Sequence, residues 1–514
     1  MEVTYTMEEA LKKAGSFGKF QLINCFIATS NFWVTCFFLY SITFLTLKQE
    51  YLCPDGLGGT FQCSEPHDIC FNGNLRHSVV LDTENEKTIY NWISQLRIQC
   101  EPSWKSSLFG SFYFLGVIFS SFILITTSKY GRRMNMIIGN WISLIAFSGL
   151  VFTTNLYLKY GFCLLLGLTY LRSIQSLLLA TEFTLLNYKI YITTATMVID
   201  GLVFPLNALY FKFLSKNWEY IFLGYYIIAF LGTILSHMIP ESPNYLYEKH
   251  SYQESKQVLK KIAQWNNKEE LSQGDWFFEN EVHHVRDDET VLGNGVSGNV
   301  CLQTPVQQNN PSDALETQNI KKLRKKEEIK EDPYDVIKEN PKVFWNLIII
   351  MMVWICASFN TYLLGFSIRN FGGNLYYNAW AFGFCGILGK LSGGTVRSML
   401  SSKSTLLIYI SLVFISGTSL IFIQSHNLMA ISIGLAQIGL AGSFNMAYFI
   451  TTEYFPPLFA PFAFSVCQIG ARSLTVLSFL LSDLHAPFPM LILTTMAGFT
   501  VFCLYFLTKP KDGF

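Results

Sequence analysis

Charge is what this sequence has least of. Asp, Glu, Lys and Arg make up 14% of its 514 residues, where a soluble domain carries about a quarter. With 51% apolar and 16% aromatic residues, that deficit excludes an ordinary soluble protein and points to a chain that crosses a membrane repeatedly. The net charge of +1 is uninformative by itself, since the distribution of charge along the chain matters more; no nucleic-acid partner is expected. A cleavable signal peptide is not expected either. MEVTYTMEEALKKAGSFGKF is polar and charged, and the first apolar run follows it at full spanning length. The sequence also offers no nucleophile–base set, metal cluster or phosphate loop, so an enzyme and a bound cofactor are not expected.

A helix needs about 20 mostly apolar residues to span a bilayer, because unpaired backbone groups are too costly in hydrocarbon. Twelve segments meet that rule, at about 20–46, 106–127, 135–154, 160–183, 190–213, 218–239, 344–368, 375–397, 404–423, 427–450, 459–482 and 486–508. The class expected is therefore an all-α membrane protein. Its parts are a short N-terminus (1–19), a six-helix bundle (20–239) with a polar loop at 47–105, a second polar segment (240–343), a second six-helix bundle (344–508) and a short C-terminus (509–514).

Basic residues near the span ends set the orientation. Lys12, Lys13 and Lys19 precede span one, Lys129, Arg132 and Arg133 join spans two and three, and KKLRKKEEIKED (321–332) lies between spans six and seven. With Lys509 and Lys511 after the last span, these loops predict cytoplasmic N- and C-termini. The 47–105 loop then faces outward. It holds Cys53, Cys63, Cys70 and Cys100, an even set that predicts two disulfides with the pairing open. It holds no Asn-X-Ser/Thr acceptor, so no N-glycan is expected there. The other eight cysteines read as reduced packing residues. Within the second polar segment, ESKQVLKKIAQWNN (254–267) places Val258, Ile262 and Trp265 at helical spacing, as in a surface helix. From about Asp287 to Gln318 the composition predicts disorder.

Four ionisable residues fall inside the spans: Arg172, Asp200, Lys390 and Arg472. A charge at the bilayer centre is disfavoured by about 2.5–3.5 kcal/mol on insertion scales, so such residues face a bundle interior or a wet cavity. Three positive charges against one negative leave two in excess, which favours an anion. Each has a plainer explanation. Arg172 and Asp200 lie on consecutive spans and pair readily. Lys390 stands about 10 Å from the end of its span at 1.5 Å per residue, within reach of snorkelling toward water. Arg472 sits mid-span with no obvious acid for it.

Several motifs resemble one family across the whole chain. PESPNYLYEK (240–249) is similar to the motif after the sixth helix in sugar-porter and organic-ion branches of the major facilitator superfamily. GSFGKFQ (15–21), TIYNWISQLRIQCEPSWKSSLFGSFYFLG (88–116), GGNLYYN (372–378) and TTEYFP (451–456) resemble the organic-ion branch, solute carrier family 22. That resemblance implies two six-helix bundles around a central site and transport by alternating access. Lys390 and Arg472 fall where the organic anion transporters of the family carry a lysine and an arginine. Cation transporters instead place acids at the Arg472 position and at Gly386, and carnitine-type relatives share the arginine alone. Matching positions also nominate Tyr362, Tyr448 and Asn31 as substrate contacts.

The resemblance implies a small organic anion as substrate, exchange against an intracellular dicarboxylate, a plasma-membrane location and a monomeric transport unit in the lipid bilayer. Arg132, Arg133, Glu182 and Glu453 are implied in gating. The chain departs from the family pattern at Leu124 and Ser128, where Gly and Asp are usual, at Ala460, where Arg is usual, and in TVRSMLSSK (395–403). Those departures keep open a receptor or assembly subunit that has lost turnover. Transport of a zwitterion such as carnitine, or of a cation, is the nearer alternative, with Asp200 as its acid.

Overall fold

The computed structural model describes residues 4–55, 59–63, 66–127, 131–268, 271, 276–279, 281, 338, 341–423, 425–455 and 459–508. The side chains of Pro66, 123–127, Leu186 and Pro461 fall outside that description, as do the basic segment 321–332, the stretch 287–318, Ser128 and the C-terminal lysines.

Among the described residues, twelve helical segments stand at the positions expected for spans. We label them α1 (Lys19–Leu45), α2 (Ser103–Thr127), α3 (Arg132–Phe152), α4 (Leu156–Glu182), α5 (Leu186–Leu209), α6 (Trp218–Ser236), α7 (Pro341–Ser367), α8 (Leu375–Met399), α9 (Ser402–Phe422), α10 (His426–Tyr454), α11 (Ala460–Thr475) and α12 (Phe488–Tyr505). Among the described residues, nine of these are long and apolar enough to cross a bilayer. The exceptions are α2, α8 and α11. α8 carries Lys390, and α11, which carries Arg472, is only 16 residues long.

Local chemistry explains the irregular spans. α4 breaks at Thr169, whose hydroxyl donates to the Leu166 carbonyl at 2.8 Å. Such back-bonding competes with the helical ladder. α5 contains Pro205 and runs out in a wide turn over Tyr210–Leu214; a proline removes one helical donor and crowds the preceding turn. α11 stops after 16 residues and resumes as a short turn at Ser478–Ser482.

The two halves, α1–α6 and α7–α12, share one apolar core. α5 and α8 meet almost backbone to backbone. A Cβ at Gly201 would collide with Ile387, and one at Gly383 with Pro205. Small residues permit that approach in place of side-chain interdigitation.

The 47–105 loop holds only two one-turn helices, Pro66–Ile69 and Trp92–Gln95, among its described residues. It folds as short strands, including a three-stranded sheet in the order Thr60–Cys63, Tyr51–Pro54, Val80–Leu81, stapled by Cys53–Cys63 and Cys70–Cys100. The two expected disulfides are thus formed, with the pairing the sequence left open now fixed. Seven further cysteines are free among the described residues.

At the opposite end a second apolar cluster joins the N-terminus to the segment after α6. A short helix, Met7–Lys13, packs near the surface helix Tyr252–Trp265, and Thr4–Tyr5 pairs in parallel with Phe277–Phe278. The surface helix buries Leu259, Ile262 and Ala263. Its Lys256 also turns inward, to Glu281 at 2.6 Å.

Candidate functional site

Lys390 does not snorkel. Its ammonium pairs with Asp200 and also reaches the Met197 carbonyl at 3.5 Å. The Gly201–Gly383 approach of α5 and α8 is what brings the two side chains together across the halves. Each is 15% exposed. The pairing of Asp200 with Arg172 expected from consecutive spans does not form. α4 turns the arginine into its own half, so the only acid among the four in-span charges goes to Lys390.

Arg172 is 4% exposed and braces three helices. Its guanidinium donates to the Asn31 carbonyl (3.4 Å) and Thr35 Oγ1 (3.1 Å) on α1 and to Asn140 Oδ1 (3.3 Å) on α3. Gly139 leaves room for its stem, since a Cβ there would crowd it at 2.7 Å. All three acceptors are neutral. Asn31 is also buried, its amide donating to Ser176 Oγ at 3.2 Å. Both residues therefore serve the packing of the first half.

Arg472 is different. It is 6% exposed, and among the described residues no carboxylate pairs with it. It donates to the Tyr170 hydroxyl at 3.2 Å and lies 5.3 Å from that ring's centroid. Tyr362 and Tyr448 are close enough to feel its charge. Tyr362 packs edge-on against Phe114 (4.8 Å) and stacks on Phe366, and Tyr448 packs edge-on against Trp354 at 4.6 Å. Aromatic faces and a buried, weakly hydrated guanidinium are a suitable seat for an anion with an apolar body. The surplus of two positive charges thus divides: one belongs to the bracing Arg172, and one, Arg472, faces the tyrosines between the halves. Gly386 lies against Gln437, 3.2 Å from the position a Cβ would take, so that side of α8 is lined by an amide.

Arg132 pairs with Glu182 at 2.5 Å, and the Glu241 carboxylate accepts from the Arg132 and Arg133 backbone amides at 3.1 and 3.2 Å. Gly131 (φ +83°) makes this turn possible, and a side chain there would strike Glu241. Arg133 donates to the His237 carbonyl instead. In the second half Glu453 accepts from Ser402 and lies 3.7 Å from Arg397. The eroded motif after α8 thus keeps an arginine, Arg397, beside a carboxylate, and Glu241 of the PESP segment anchors the turn at Gly131–Arg133. Leu124's side chain and Ser128 lie outside the described residues; Ala460 begins α11.

Three charged residues escaped the sequence reading. Arg369 and Asp483 form a buried ion pair at the disulfide-loop end, and Asp483 also accepts from Ser107 of the first half. Arg369 donates to Thr46. Thr43, Ser111, Asn374 and Tyr376 add further bonds between halves there, the last two to Glu86 of the loop. Lys159 is fully buried between the Trp92 and Trp218 rings, donating to Gln95 and the Leu150 carbonyl. All three stand within a residue or two of a span boundary, where a flanking charge is ordinary. A cleft of about 870 Å³ at the same end, lined by Glu86, Asn374, Tyr377 and His426, contains none of the central cations.

Residues 20–283 match the family model described as sugar (and other) transporter. The chain belongs to that family. Curated relatives are members of solute carrier family 22: member 4 of Mus musculus is 21% identical over 391 residues, covering 74% of this chain and 62% of the relative. The organic cation/carnitine transporter 2 of Homo sapiens is 20% identical, over 75% of this chain and 63% of its own. Member 6-A of Xenopus laevis is 23% identical, over 82% and 70%. The match to the first of these relatives thus spans under two thirds of their length. The xylose transporter XylE of E. coli in an inward-open conformation aligns with a TM-score of 0.60 at 12% identity, over 96% of this chain and 97% of its own. At that identity the likeness shows the fold, that of the major facilitator superfamily.

Proposed function

We propose that this chain is an alternating-access carrier of small organic anions, with Arg472 as the anchor for the substrate's carboxylate or sulfate. The carrying observation is a guanidinium 6% exposed, ringed by tyrosines and unpaired with any carboxylate among the described residues. Arginine's planar fork binds such a group through two parallel hydrogen bonds and stays charged at any relevant pH. Tyr362 and Tyr448 form the apolar wall, Tyr170 orients the guanidinium, and Lys390 supplies a second cation when released from Asp200. The lipid bilayer is the medium, the plasma membrane the site, and the termini are cytoplasmic, with the disulfide loop outside where an oxidising environment maintains it. The carrier works as a monomer. Exchange with an intracellular dicarboxylate is the counter-transport that the resemblance implies.

The test is uptake of a labelled aryl carboxylate and a labelled quaternary amine into cells expressing the chain, beside R472A. Carboxylate uptake that R472A abolishes is the expected result. Amine uptake without carboxylate uptake overturns the reading, as does surface-expressed protein that moves neither.

A second reading, transport of a zwitterion, draws on one observation. Asp200 lies in the same central region as Arg472 and is sensed by Tyr170, Tyr362 and Tyr448, so a ligand with both charges has a partner for each. Relatives named organic cation/carnitine transporter 2 are in keeping with it.

A further inference from the structure

We propose that Asp200 is a built-in surrogate substrate: its carboxylate occupies Lys390 when the site is empty and is displaced by the carboxylate or sulfate of an incoming organic anion. The proposal rests on the anion reading and goes beyond it, because it concerns what the empty carrier does.

The geometry points to a competitive arrangement. Asp200 on α5 and Lys390 on α8 belong to different halves, yet their charged ends meet, each still 15% exposed. The pair joins the two halves and is not fully sealed. Lys390 is held from its own half as well, since Asn445 donates to its backbone carbonyl at 2.9 Å. That fixes the α8 backbone while the flexible four-carbon stem stays free to swing. Cys36 and Tyr40 on α1, Tyr170 on α4, Tyr362 on α7 and Tyr448 on α10 lie in the electrostatic reach of Asp200, with Arg172 and Arg472 acting on some of the same groups. Among the described residues, Lys390 is the cation in ion-pair contact with Asp200, and Asp200 is the acid paired with it. A bound anion and Asp200 therefore compete for one ammonium.

Two consequences follow from the charge balance. With Asp200 in place, the empty site holds a neutral pair plus Arg472, so reorientation without substrate avoids carrying two unpaired cations through the apolar midplane. Exchange is then facultative: an anion on the far side accelerates turnover without being required. Secondly, affinity is set below its limit, because each binding event must first break the internal pair. A group that binds the competing form lowers apparent affinity in proportion to the population it holds.

The experiment uses the full chain in proteoliposomes and purified in detergent, with a labelled aryl carboxylate as probe. D200N frees Lys390 and is expected to tighten binding, read by thermal shift, by about tenfold, the order of one charge-assisted hydrogen bond. In a K390A background the same change is expected to produce no tightening, a dependence that a merely structural aspartate would not show. A second measurement needs no variant: efflux of preloaded carboxylate from wild-type proteoliposomes into anion-free medium is expected to run within about threefold of the rate with external anion. D200N that weakens binding or leaves it unchanged overturns the proposal, and so does wild-type efflux that halts without external anion. If wild-type protein binds no carboxylate at all, the anion reading itself has failed and this inference falls with it. A wild-type shift that D200N leaves unaltered sinks the surrogate role alone.

Discussion

Arg369 and Asp483 form an ion pair at the disulfide-loop end of the bundle, and Asp483 binds Ser107 of the other half through the same carboxylate. One acid thus closes the second half on itself and ties it to the first. Arg369 returns the contact through Thr46 on α1. These bonds join the two halves at the loop end, and on the alternating-access reading they break when that end opens.

D483N should therefore favour the state open at the loop end. Removing one partner of a buried pair costs about 3–5 kcal/mol in the state that contains it. A cysteine placed at Ser111, which bonds the Val476 carbonyl in the closed arrangement, should be labelled by an impermeant thiol reagent several-fold faster in D483N than in its absence. Equal labelling rates would show that the pair is not a gate.

R472A should lower affinity for an aryl carboxylate by about 10- to 100-fold, the range of one or two hydrogen bonds to a charged group. Y170F, which removes the hydroxyl that accepts from Arg472 at 3.2 Å, should lower it by only a few-fold. Substrate titration by thermal shift checks both, and an effect of Y170F as large as R472A would mean that the tyrosine itself holds the ligand.

The two disulfides should differ in weight. Cys53–Cys63 closes 10 residues and Cys70–Cys100 closes 30. In the chain-entropy picture the longer closure stabilises by about 1 kcal/mol more. Surface expression should fall further for C70A/C100A than for C53A/C63A, measured by antibody binding to an external tag.

Asn266 should matter for stability and not for affinity. Its side chain accepts from the Phe20 amide at 3.1 Å and donates to the Ala14 carbonyl (3.0 Å) and Gln21 (2.9 Å). It thereby fastens the start of α1 to the helix Tyr252–Trp265. N266A leaves those groups without partners and should cost about 2–3 kcal/mol. A lowered Tm with an unchanged KM is the expected pair of results, and a raised KM would mean that this tether reaches the central site.

The spans were legible in the sequence because hydrophobic length is a local property. The disulfide set was legible because its four cysteines cluster in one loop. Pairing was not. Arg172 and Asp200 looked like partners on consecutive spans, but which face of α4 and α5 meets which neighbour depends on glycine contacts such as Gly201–Ile387, which no spacing rule reveals. Lys390 was visible as an oddity and Asp200 as a lone acid, yet their meeting required the two halves to be placed side by side. Arg369 and Asp483 were passed over for a different reason: each lies just beyond a span end, where a charge ordinarily meets water. Tyr170 carried no signal beyond being aromatic.

The modest apolar character of α8 and α11 bears on biogenesis. Lys390 in one helix and Arg472 in the other each resist lateral release into lipid, by about 2.5–3.5 kcal/mol near a bilayer centre. Neither helix is self-sufficient as it leaves the translocon. Among the described residues, Lys390 of α8 is neutralised by Asp200 of α5, made some 190 residues earlier, so the finished first half acts as an intramembrane scaffold for the arriving second half. A chain interrupted between the halves would then leave α8 stranded, and quality control in the secretory pathway would meet the defect before any substrate did.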